Sequence, residues 1–121
     1  MRILFVDDNY DTRAFFRLGL HMHGHEVRLA SDGKEGVAVA TEGDFDAIVL
    51  DVEMPGMSGW EALRQIRALP QHAQTPIVMF TAYAEHVNHP PSVLADKVLL
   101  KPMLSTDLHQ HLESLRHAQS D

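Results

Sequence analysis

The chain has 121 residues, enough for one domain around one core, and 45% of them are hydrophobic, which argues against disorder. A formal net charge of −7 disfavours direct contact with nucleic acid or an anionic membrane, both of which call for basic patches. The absence of cysteine excludes disulfides, thiolate catalysis and cysteine-ligated zinc.

The N-terminal run Ile3-Leu4-Phe5-Val6 ends in Asp7-Asp8-Asn9. It reads as a buried strand with two carboxylates at its C-terminal end, cut too short by Asp7 to be a signal peptide. No other run approaches a membrane span, so a cytoplasmic domain without a membrane partner is expected. Asn9 is placed to cap the next helix, and Asp11 suits its first turn. Phe15, Leu18 and Met22 make a helical stripe that Phe16 and Leu20 widen; one of the two adjacent phenylalanines is surplus to the core. Gly24 ends this helix.

Val27, Leu29 and Ala30 form a second strand, and Ser31-Asp32-Gly33 turns the chain. Residues Glu35 to Glu42 read as a small-residue helix with Val37, Ala40 and Thr41 on its inner face. Ala47-Ile48-Val49-Leu50 then runs straight into Asp51, and Met54-Pro55-Gly56 turns the chain soon after. Such a run reads as a strand buried on both faces. Ser58-Gly59-Trp60-Glu61 fits a capping box, with Trp60 as a helix-start contact. The helix it opens carries Leu63, Ile66 and Leu69 inward until Pro70 stops it. Ile77 to Phe80 is the fourth buried run, ending at Thr81-Ala82. Pro90-Pro91 leaves room for at most a short helix around Ser92 to Ala95. Val98-Leu99-Leu100 is the fifth strand, ending at Lys101-Pro102. Leu104, Leu108, Leu112 and Leu115 stripe a last helix with Ser105 as its cap. Nine histidines are many for this length, and His21, His23, His25, His109 and His111 alternate. Residues two apart on a helix face different sides, so these read as surface histidines rather than a chelate.

Strand alternating with helix implies a doubly wound parallel α/β sheet with right-handed crossovers. All strand C-termini then share one edge, the edge where such sheets bind ligands. Asp7 and Asp8, Asp51, Thr81 and Lys101 converge there from distant positions. Packed carboxylates repel one another, and a hard divalent cation such as Mg²⁺ relieves the repulsion. Each residue alone reads as a cap, turn hydroxyl or surface lysine; jointly they read as a site.

Asp7-Asp8, Asp51 followed by Met54-Pro55-Gly56 and Gly59, Thr81-Ala82 and Lys101-Pro102 together resemble the receiver domain of two-component response regulators, over essentially the whole chain. The resemblance implies a flavodoxin-like sheet of five strands in the order 2-1-3-4-5, with one receiver domain over residues 1–121 and no output domain in this chain. It implies that Asp51 is the phosphoacceptor, attacking the phosphorus of a phosphohistidine on a histidine kinase or histidine phosphotransfer protein. Asp8 would ligate Mg²⁺ directly, Asp7 through water, and Glu53 through its backbone carbonyl. Lys101 would pair with Asp51 and then with the phosphoryl oxygens. Mg²⁺ and Lys101 both favour an ionised Asp51. The Thr81 hydroxyl and the Ala82 N–H would bind the phosphoryl group. The Lys101-Pro102 bond is implied to be cis. Output would pass to a protein partner or a phosphorelay, and the only chemistry would be self-phosphorylation and autodephosphorylation.

The chain departs from the family at Val98, where an aromatic residue is usual, so the coupled swing of Thr81 and a ring does not operate in its usual form. Glu53 and Tyr83 stand where the family tunes phosphoryl lifetime. Two other readings remain. One is an Mg²⁺-dependent phosphohydrolase in which Asp51 is the nucleophile and Glu53, two residues on, the acid–base. The other is a degenerate receiver that binds partners without phosphorylation.

Overall fold

The computed structural model describes residues 1–88 and 94–120. Five strands, β1 (Arg2–Val6), β2 (Glu26–Ala30), β3 (Ala47–Asp51), β4 (Ile77–Thr81) and β5 (Lys97–Leu100), form one parallel sheet in the order β2-β1-β3-β4-β5. The helices are α1 (Tyr10–Met22), α2 (Gly33–Glu42), α3 (Gly59–Arg67) and α4 (Ser105–Ser120). This is the expected doubly wound architecture.

Strand side chains alternate between faces, which divides the core in two. Leu4, Val6, Ile48, Leu50, Ile77 and Met79 pack with Val39, Ala40, Ala62, Leu63 and Ile66 of α2 and α3. Ile3, Phe5, Val49, Val78 and Phe80 pack with Phe16, Leu20, Leu108 and Leu112 of α1 and α4. Val98 lies half-buried against the first of these clusters.

Helix α1 turns a different face inward from the one its longest stripe suggests. Phe16 and Leu20 are buried, while Phe15, Leu18 and Met22 are 53%, 61% and 77% exposed. The apolar residues of α1 cover too much of its circumference for spacing alone to choose the inner side. Phe16 decides it, stacking on Phe5 with centroids 5.1 Å apart and meeting Phe80 edge-on at 5.4 Å. Asn9 caps the helix as expected, accepting from the Thr12 N–H.

Three smaller expectations change. Helix α2 begins at Gly33 with Asp32 as its cap, and Val39 and Ala40 are its buried apolar residues; Thr41 is exposed and donates its hydroxyl to the Val37 carbonyl. Ser105 is the first residue of α4 rather than its cap, and Leu104 is exposed. The Ser105 side chain fills the space where a Cβ on Gly19 would stand, which lets α1 and α4 approach closely. Leu69 lies past the end of α3 and is only partly buried.

The segment after β4 forms a 3-10 turn at Ala84–Asn88. The short helix expected around 92–95 falls largely outside the described residues. Among the described residues, no helix is long and apolar enough to cross a membrane.

Gly59 sets how closely α3 meets the end of β3. Its N–H donates to the Val52 carbonyl at 2.9 Å, and a Cβ there would lie 2.7 Å from the Val52 Cα and against the Asp51 carbonyl oxygen. Backbone cannot move aside as a side chain can. Gly59→Ala is therefore expected to destabilise the fold by about 2 kcal/mol in urea unfolding.

Candidate functional site

The strand register brings the predicted residues into line. Asp51 pairs with Phe80, and Thr81 with Leu100, so β3, β4 and β5 end together beside the Asp7 that follows β1. Asp7 and Asp51 are almost fully buried, with side chains 1% and 2% exposed. The Lys101 ammonium bridges them, 3.1 Å from Asp7 Oδ2 and 3.1 Å from Asp51 Oδ1. Asp8 is exposed at the mouth of the site, and one carboxylate oxygen from each of Asp7, Asp8 and Asp51 falls within 4.8 Å of the others.

Local backbone fixes Asp7. Its Oδ1 accepts from the Asn9 N–H at 2.9 Å, and its carbonyl accepts from the Arg13 guanidinium at 2.8 Å. Lys101 is held by the turn after β5, where its N–H donates to the Thr81 carbonyl and its bond to Pro102 is cis.

One cation among these carboxylates is too few. Burial, and then the Asp7 carboxylate, push the Asp51 pKa up to about 7 in spite of Lys101. Burial pulls Lys101 down, but Asp51 and Asp7 outweigh it and hold the ammonium above its ordinary range. Lys101 favours the ionised Asp51, as the sequence implies, but by itself it does not offset burial and the Asp7 charge. The shortfall, together with an all-oxygen donor set, suits a hard divalent ion such as Mg²⁺. The three carboxylates fit it.

Thr81 is buried, and its hydroxyl is already engaged. It donates to Glu53 Oε2 at 2.6 Å, the Ala82 N–H donates to Glu53 Oε1 at 3.0 Å, and His86 Nδ1 lies 3.0 Å from Glu53 Oε2. The Tyr83 N–H closes the group by donating to the Thr81 oxygen. Burial alone would raise the Glu53 pKa, but the bonds from Thr81, Ala82 and His86 prevail and hold it below the usual carboxylate range. The Glu53 side chain thus occupies the two donors that the sequence reading assigned to a phosphoryl group.

His86 is the member of this group that sequence reasoning missed. Its only sequence signal is its place on the loop five residues after Thr81. Trp60 of α3 and Tyr83 of the loop after β4 meet His86 edge-on at 6.1 and 5.8 Å.

The model of the response regulator receiver domain family matches residues 3–113. The chain belongs to this family. It is 35% identical over 117 residues to the transcriptional regulatory protein TcrA of Mycobacterium tuberculosis, covering 95% of this chain and 46% of TcrA. Among solved structures, chemotaxis protein CheY4 of Vibrio cholerae superposes with a TM-score of 0.88 at 33% identity, covering 94% of this chain and 97% of that one. The response regulator TrrA of Thermotoga maritima, solved in complex with Mg(2+)-BeF, gives 0.87 at 32% identity with the same coverage. TrrA is also solved in complex with histidine kinase ThkA, where it gives 0.84. This receiver domain spans about a third to a half of the length of the curated relatives it matches. Receiver domains are signalling switches of two-component systems rather than enzymes in the ordinary sense.

Proposed function

We propose that this receiver domain is a phosphorylatable switch. Asp51 takes a phosphoryl group from a phosphohistidine: a carboxylate oxygen forms the new bond to phosphorus, the P–N bond breaks, and the imidazole leaves. The observation that carries this reading is the Lys101 ammonium bridging buried Asp7 and Asp51 at the C-terminal edge of the sheet, with Asp8 beside them. Phosphoryl transfer needs in-line positioning and neutralised oxygens more than proton transfer. Asp7, Asp8, Asp51 and the Glu53 backbone carbonyl would hold Mg²⁺, which supplies positive charge to the phosphoryl oxygens and to Asp51. Lys101 then shifts from the carboxylate to the phosphoryl group, and Thr81 and Ala82 must leave Glu53 to bind it. Output goes to protein partners or along a phosphorelay. With its charge of −7, this domain is itself a poor ligand for nucleic acid.

The phosphohydrolase reading asks Glu53 to carry a proton. Three donors bind its carboxylate and its pKa is lowered, which favours the anion and weighs against that role.

The test is intact mass after incubation with acetyl phosphate and Mg²⁺. One phosphoryl group is expected, absent in Asp51→Asn and with a chelator. No gain in the unmodified chain would overturn the assignment of Asp51.

The donor docks over α1. Phe15, Phe16, Phe80, Met103 and Leu104 line an apolar pocket of about 630 Å³ that Lys101 also borders, so a helix seated there would reach the phosphoacceptor. Exposed Phe15 and Leu104 would be its contacts, as an amphipathic helix laid in an apolar groove requires. The complex of TrrA with a histidine kinase supports a kinase as the donor for this chain. Phe15→Ala is expected to slow transfer from a phosphohistidine protein about tenfold while leaving acetyl phosphate labelling unchanged.

A further inference from the structure

The histidines do not all face water. His25 is 4% exposed, in the turn between α1 and β2. The Met1 nitrogen lies 3.0 Å from its Nδ1, and its Nε2 lies 2.7 Å from Nδ1 of His109 on α4. The Met1 nitrogen is a donor, so the imidazole proton sits on Nε2 and the two rings share an N–H···N hydrogen bond. Glu113 follows His109 by four residues on α4 and so shares its face. One ligand atom from each of His25, His109 and Glu113 falls within 4.8 Å of the others.

The rings are held from outside as well. His23 stacks on His109 with centroids 4.2 Å apart and planes within 5°, and its Nε2 lies 3.4 Å from the Thr106 hydroxyl. Met1 and His25 precede the first residues of β1 and β2, so this cluster stands at the edge of the parallel sheet opposite to Asp51.

We propose that His25, His109 and Glu113 form a second metal site, for a borderline divalent transition ion of which Zn²⁺ is the type. Two imidazoles and a carboxylate are a three-ligand set that leaves a fourth position for water. The acidic cluster at the other edge offers only oxygen, so ligand type sorts the two ions. The incoming ion takes the place of the shared proton: the His25 proton moves to Nδ1, with the Met1 nitrogen turned aside. The two nitrogens then part from 2.7 Å to the roughly 3.3 Å that adjacent ligands span on a tetrahedral ion with bonds of about 2.0–2.1 Å. The ion clamps the α1–β2 turn to α4. Spacing by two along the sequence hides this site, because its ligands come from different elements.

The test is calorimetric titration of the EDTA-treated chain with ZnCl₂, in excess Mg²⁺ to occupy the acidic cluster. One Zn²⁺ per chain is expected, with a thermal midpoint that rises as Zn²⁺ is added. His109→Gln or Glu113→Gln weakens binding at least tenfold, since loss even of a group that only supports a ligand costs about that much. His21→Gln, an exposed histidine of α1, leaves binding unchanged. Glu113 is partly exposed, so its variant remains informative where a histidine variant fails to fold. Binding as tight in His109→Gln and Glu113→Gln as in the unmodified chain, or no stoichiometric binding at all, overturns the proposal.

Discussion

Lys101→Met is expected to destabilise this receiver domain by about 3 kcal/mol at pH 8 without Mg²⁺, near the low end of what breaking a buried ion pair costs. The variant leaves Asp7 and Asp51 facing each other with no ion-pair partner among the described residues, and both are almost fully buried. The low end applies because Lys101 keeps a side-chain exposure of 26% and because Asp51 can escape by taking a proton. The sign of the pH dependence follows from that proton. The Asp51 pKa is raised from an ordinary 3.8 to about 7. Between those values the folded chain holds a proton that the unfolded chain has lost. The stability Asp51 contributes is therefore full below pH 3.8 and is lost as the pH rises through about 7. Without Lys101 the folded pKa climbs further, so the deficit of the variant is greatest at pH 8 and shrinks by pH 5. Mg²⁺ should narrow the gap at pH 8. Asp51→Asn should move the other way, gaining about 2 kcal/mol over the unmodified chain at pH 8 without Mg²⁺, since it removes the group that is costly to ionise. Urea unfolding at pH 5 and pH 8, with and without Mg²⁺, reads all of these. A deficit for Lys101→Met that is independent of pH would show that Lys101 matters here as packing rather than as charge.

Glu53→Ala is expected to raise the phosphorylated fraction at limiting acetyl phosphate about tenfold, a net shift of about 1.4 kcal/mol and a little less than one charge-assisted hydrogen bond. Glu53 holds the Thr81 hydroxyl and the Ala82 N–H in the unphosphorylated protein. On the proposed function, a phosphoryl group on Asp51 would have to displace it to gain the same donors, so those bonds would favour the unphosphorylated state and oppose the switch. Removing the carboxylate removes the competitor. Water solvates the freed carboxylate in the unmodified chain, which is why the net effect is smaller than the bonds themselves. Glu53→Gln keeps an acceptor oxygen without the charge and should fall between the two. Intact mass at graded acetyl phosphate gives the fraction, and decay after donor removal gives the lifetime, which should lengthen. A lower fraction or a shorter lifetime in Glu53→Ala would mean that Glu53 aids the phosphorylated state instead.

The central strand and its acidic end were legible because Ala47 to Leu50 is continuously apolar and must be buried on both faces, which leaves Asp51 at an edge. The same logic placed Asp7, Thr81 and Lys101, since each ends a short apolar run and parallel strands end together. The inner face of α1 was not legible. Phe15 and Phe16 are equally hydrophobic, and only the rings of Phe5 and Phe80, far away in sequence, select between them.

The amino-acid sequence by itself determined the alternation of strands and helices, the set of residues at the sheet edge and the resemblance that names the family. These depend on local period and on which residue follows each buried run. Tertiary structure decided how those groups are occupied. It set one ammonium against two buried carboxylates, leaving Asp51 short of positive charge. It turned Glu53 onto Thr81 and Ala82, with His86 beside them. It drew His25 out of water against His109 and Glu113. Each outcome depends on distances between residues remote in the chain, and hydrophobic period carries no information about such distances.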